Sequence, residues 1–175
     1  MKKLSFQMAF GGIITALCII LMFSVGVFQV MLYVFPMLSS LLIYALGYEC
    51  GNKTAMVSYV SVSLLSLILS PEKESAVIFM AFFGYYPILN TYIDRIKSSV
   101  LRWAIRFAVF NTAMVISYYA LIKLFSAVTL DEFGSWTVPV MLASGNLIMV
   151  LYVFAIMSVS AIYVKKIRRK IFKRK

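Results

Sequence analysis

Long apolar runs separated by short polar breaks dominate this chain. They extend over approximately 5–24, 27–47, 53–70, 75–93, 101–126 and 136–164. A helix crossing ~30 Å of hydrocarbon needs roughly 20 apolar residues. The pattern therefore predicts an all-α bundle of six membrane-spanning helices in one domain, 1–164, followed by a polar tail, 165–175. The breaks are Ser24-Val25-Gly26, Tyr48 to Lys53, Ser70 to Glu74, Asp94 to Ser99 and Thr129 to Ser135. The last run covers about 29 residues, or ~43 Å at 1.5 Å per residue. It must tilt or extend beyond the bilayer.

The fourth run is interrupted by FFGYYPILN (82–90). Proline in a helix interior removes one backbone donor and opposes the carbonyl four residues back. The sequence thus predicts a bend at Gly84–Pro87, which is either a simple packed kink or a pocket with Tyr85 and Tyr86 as its floor, and a structural role for Asn90. Pro36 is expected to bend the second span in the same way.

Composition supports the membrane reading. The chain is 63% hydrophobic and 13% charged, against ~45–50% and ~25% in soluble domains. The start MKKLSF imitates a signal peptide, but the apolar run behind it is long and lacks a cleavage site of small residues. It reads as an uncleaved first span.

The net charge of +11 is distributed between spans, which is not the footprint of a nucleic-acid binder. With both termini in the cytoplasm, fifteen of the 17 Lys and Arg residues lie inside, leaving Lys73 and Lys123 outside. Retention of basic residues on the cytoplasmic side sets topology, so an even number of spans in the cell membrane follows. The tail KKIRRKIFKRK (165–175) is a positive-inside anchor and a candidate contact for anionic lipid.

Chemistry-bearing residues are sparse. Histidine is absent, and the pattern offers no nucleophile–base set, metal cluster or phosphate-binding loop, so neither enzyme activity nor a cofactor is expected. Cys18 and Cys50 read as free thiols. Arg102 and Arg106, at i,i+4 where the fifth span begins, read as side chains that snorkel to the headgroups.

Uncharged polar groups are more numerous. Gln29, Tyr85, Tyr86, Asn111, Tyr118, Tyr119, Trp136 and Asn146 are candidate substrate-binding residues. Aromatic walls with a few convergent polar groups describe small-molecule pockets. For Asn111 and Asn146 the competing role is hydrogen bonding between helices. In the first span, Ala9, Gly12 and Ala16 share one helical face, and Gly11 and Thr15 form a second pair. Small faces allow close helix approach, either within the bundle or toward another membrane subunit.

This layout of six spans, cytoplasmic termini, a small-residue first helix and no ATPase motif resembles the substrate-binding S components of energy-coupling factor (ECF) transporters. The resemblance implies binding of a vitamin or similar small nutrient from outside. It also implies association with a transmembrane T component and cytoplasmic ATPases. The family's docking signature in span one is typically A-x-x-x-A, and here Gly12 and Ala16 give G-x-x-x-A. In size and span number the chain also resembles MreD, a structural subunit of the bacterial wall-elongation machinery. A stand-alone channel, carrier or membrane enzyme is the third class.

Overall fold

The computed structural model describes residues 4–28, 32–125 and 137–163. Gln29, Trp136 and the basic tail lie outside the described residues, as does the predicted break at Thr129–Ser135. The described residues form helices and no strand. These are α1 (Leu4–Ser24), α2 (Val34–Cys50), α3 (Asn52–Leu69), α4 (Lys73–Ile78), a π-helical turn (Phe79–Phe83), α5 (Tyr86–Ile93), α6 (Ser99–Phe125) and α7 (Thr137–Ile162).

Four helical segments among the described residues are long and apolar enough to cross a membrane: Leu4–Ser24, Asn52–Leu69, Lys73–Ile93 and Ser99–Leu121. Val34–Cys50 and Ala143–Val159 are shorter apolar helices. At 1.5 Å per residue, the 17 residues of α2 rise about 25 Å.

Two details of the second run differ from expectation. The segment after α1 forms a turn at 25–27, and α2 begins only at Val34. Pro36 therefore falls in the first turn of α2, where its missing N–H has no helical partner to lose. It starts this helix and does not bend one.

The packing is compatible with a membrane environment. Leu4, Met8, Ile13, Ile20, Ile68 and Leu151 expose their side chains, whereas Ser39, Ser40, Ser58, Ser66, Ser70 and Ser75 are buried. Apolar surface facing outward suits lipid, and small hydroxyl residues inside let helix backbones approach. Helices α1, α2 and α3 pack against one another, and α2 also reaches α5 and α7. The second unit places α4 and the π turn on α6, with α7 against α6. Cys18 and Cys50 are both buried and are not joined in a disulfide.

Two connections have a local physical cause. Gly51 alone separates α2 from α3, with φ +93°, a backbone conformation costly for residues carrying a Cβ. At the other end of α3, Lys73 Nζ donates to the carbonyls of Leu67 (2.9 Å), Ile68 (3.2 Å) and Ser70 (2.8 Å). A cation at a helix C-terminus satisfies free carbonyls and complements the helix dipole. This gives Lys73 a local role in closing the C-terminal end of α3.

Candidate functional site

The expected interruption of the fourth run is present, and its form is specific. The α-helix widens into a π turn, in which Gly84 N donates to Phe79 O at 2.7 Å. Gly84 and Tyr85 then form a turn, and α5 starts at Tyr86 with Pro87 in its first turn. Pro87 thus initiates a second helix. The π turn exposes backbone, and Tyr59 of α3 uses it: its hydroxyl donates to Met80 O at 2.7 Å. The Tyr59 ring lies so close to Gly84 that a Cβ there would sit 2.3 Å from its Cδ2. The glycine in this motif is required by that approach.

Beside the π turn lies a cavity of about 310 Å³ between α4, α6 and α7, at the end of the bundle where α4 begins. Phe82, Phe83, Phe110, Met114 and Ile148 form apolar walls. Polar groups are confined to a few positions, including Glu74, Tyr33 and Tyr118. Ser117 also lines the cavity, but its hydroxyl is used by Ala113 O at 2.8 Å. Tyr33 donates to Glu74 Oε1 at 3.5 Å.

The candidate residues separate into three groups around this cavity. Tyr118 lines it. Tyr119, one residue on, is 60% exposed on the outer surface of α6. Tyr85 and Tyr86 are not among the lining residues, and the floor is made one turn earlier by Phe82 and Phe83. Tyr85 instead meets Tyr59 edge-on, with ring centroids 6.1 Å apart. Tyr86 is fully buried among Phe82 (4.7 Å) and Tyr152 (5.5 Å). The extra residue of the π turn changes which side chains face inward, an effect that α-helical spacing does not anticipate. Tyr152 in turn hydrogen-bonds Ser40 of α2.

Asn111 and Asn146 bond to each other. Asn111 Nδ2 donates to Asn146 Oδ1 at 3.2 Å, and Asn146 Nδ2 donates back to Asn111 Oδ1 at 3.3 Å. Asn111 Nδ2 also reaches Phe107 O at 2.8 Å. This reciprocal pair ties α6 to α7 and does not line the cavity.

Beyond the aromatic floor lies a polar cluster that the sequence pattern did not reveal. Arg106 is 1% exposed and does not snorkel. It turns inward, donating to Asp94 Oδ1 at 2.6 Å and to Asn90 Oδ1 at 3.1 Å. Asn90 Nδ2 closes the set on Asp94 Oδ2 at 2.9 Å. Trp103 lies under the guanidinium, 5.3 Å away. Desolvating an unpaired guanidinium is costly, so the aspartate and asparagine of α5 and the following turn determine its direction. Asn90 has the structural role expected of it. The Nε of Arg106 and the hydroxyl of Tyr86 are buried without a hydrogen-bond partner.

On α1, Ala9, Gly12 and Ala16 face outward. A Cβ at Gly12 would meet nothing within 4 Å, whereas Gly11 faces Thr54 of α3. Gly12 and Ala16 border an open groove of about 570 Å³ between α1 and α3. Among the described residues, no group of three or more His, Cys, Asp or Glu side chains is arranged to hold a metal ion. Comparison with known proteins gives no match: no family model, no curated protein and no solved structure resembles the chain.

Proposed function

We propose that the chain is a six-span cell-membrane protein with both termini in the cytoplasm, and that it is a substrate-binding subunit rather than an enzyme. On this reading the cavity between α4, α6 and α7 receives a vitamin or similar small nutrient from outside. A partner transmembrane T component and cytoplasmic ATPases then supply the energy, as in the S components that the layout resembles. The observation that carries the reading is the cavity: its volume is at the lower end of the ~300–1,000 Å³ of small-molecule sites, and its apolar walls with few polar groups are typical of them. The ligand is mainly apolar, with one polar or cationic end directed at Glu74.

The test is ligand recovery. Protein purified from cells is denatured, and released small molecules are identified by mass spectrometry. A ligand carried by the wild type and lost in Ala113→Phe, which fills the cavity, supports the reading. Absence of any ligand from the wild type, together with no co-purifying ATPase-bearing complex, removes it.

A second reading, a structural or assembly subunit resembling MreD, is favoured by the outward small-residue face at Ala9, Gly12 and Ala16. It predicts that Gly12→Leu disrupts a membrane complex and cell shape while leaving the contents of the cavity unchanged.

A further inference from the structure

A second cavity, of about 240 Å³, lies at the opposite end of the bundle from the first, between α2, the start of α3 and α5. Its lining differs in kind. Arg95, Asn52, Tyr48 and Thr91 supply polar atoms, while Ile43 and Ile88 supply apolar wall. One full positive charge is present in the lining and no carboxylate. The neighbouring acid, Asp94, is engaged by Arg106 and Asn90.

Arg95 is positioned by the protein but not neutralised by it. Its guanidinium carbon lies 5.4 Å from the centroid of the Tyr92 ring. That ring is anchored in turn, because Asn52 Nδ2 donates to the Tyr92 hydroxyl at 3.1 Å. The start of α3 and the end of α5 thus hold a platform beneath the cation. Among the described residues, no acceptor takes a hydrogen bond from the Arg95 guanidinium. An arginine fork with free donors matches the paired oxygens of a phosphate. The volume is below that of most small-molecule pockets, so the cavity suits a headgroup-sized fragment.

We propose that this cavity binds the phosphate of a phosphate-bearing group, with Arg95 as the principal donor and the Ile43–Ile88 wall against the attached carbon chain. The charge pattern assigns this end to the cytoplasm, where anionic lipid headgroups concentrate. A lipid phosphodiester and a soluble phosphate present the same chemistry to the site, and the experiment separates them. The inference does not depend on what occupies the outer cavity.

The full chain, purified in nonionic detergent, is titrated in parallel with phosphatidylglycerol and with inorganic phosphate. Bound adducts are read by native mass spectrometry. The wild type is expected to hold one adduct, and Arg95→Gln to weaken it about ten- to a hundred-fold, the loss of a charge-assisted hydrogen bond. Arg95→Lys recovers part of the affinity, and Arg102→Gln, at the same end of the bundle, leaves it unchanged. Binding of phosphatidylglycerol alone identifies the lipid as the source, and binding of inorganic phosphate as well shows that the phosphate suffices. The proposal is overturned if neither probe binds, if R95Q matches the wild type, or if R95Q and R102Q weaken binding equally. Should R95Q fail to fold, Thr91→Phe occupies the cavity and keeps the charge; an undiminished adduct in that variant overturns the proposal as well.

Discussion

The Arg106 guanidinium donates to Asp94 at 2.6 Å across an uneven boundary, with the arginine 1% exposed and the aspartate 46%. Solvent reaches only one partner, so the two truncations differ. Asp94→Ala leaves a buried cation with Asn90 as its remaining acceptor among the described residues. Uncompensated buried charge is strongly destabilising, and a loss of about 2–4 kcal/mol is expected. Arg106→Met leaves a carboxylate that water can hydrate, at a cost on the order of 1 kcal/mol. The double variant should therefore be more stable than D94A alone. Denaturant titration in detergent micelles measures all three, and equal losses in the two single variants would contradict this account.

The reciprocal Asn111–Asn146 pair gives a second expectation. Either asparagine replaced by alanine should cost about 0.6–2 kcal/mol, the usual range for a hydrogen bond between membrane helices. The two changes together should cost less than their sum, because each single variant already breaks both bonds. Additive losses in a double-mutant cycle would mean that the pair contributes nothing as a pair.

Gly84→Ala should destabilise by about 1–3 kcal/mol through overpacking, since the new methyl would sit 2.3 Å from the Tyr59 ring. The penalty should shrink in a Tyr59→Ala background, where the obstructing ring is gone. A penalty that persists there would place its origin in the helix backbone and not in this contact.

The sequence makes the bundle legible where single residues impose strong constraints. Apolar runs locate the helices, and Gly84 with Pro87 marks the break in the fourth. Other features depend on what lies across the bundle. Arg106 shares an i,i+4 face with Arg102 near a span end, which reads as snorkelling; its inward turn depends on Asn90 and Asp94, which precede the connection to α6. Pro36 reads as a helix-interior residue because the apolar run begins at 27, whereas residues 25–27 form a turn and α2 starts only at Val34. The cavity walls Phe82, Phe110 and Met114 have the same composition and spacing as the packed core. Nothing in such a pattern separates side chains that meet from side chains that stop short of one another.

The π turn at Phe79–Phe83 also affects tolerance to changes in chain length. A π turn holds about one residue more than an α turn along the same path. Each residue removed from a continuous α-helix rotates everything beyond it by about 100°. Removing Ala81 should instead let the turn tighten toward α geometry, leaving Asn90 and Asp94 near their present phase relative to Arg106. Removing Val60 from the uninterrupted α3 has no such outlet and should turn Tyr59 away from either Met80 or its own helix neighbours. The fourth run therefore carries a spare residue, and it is the place in this bundle where a deletion is expected to be absorbed locally.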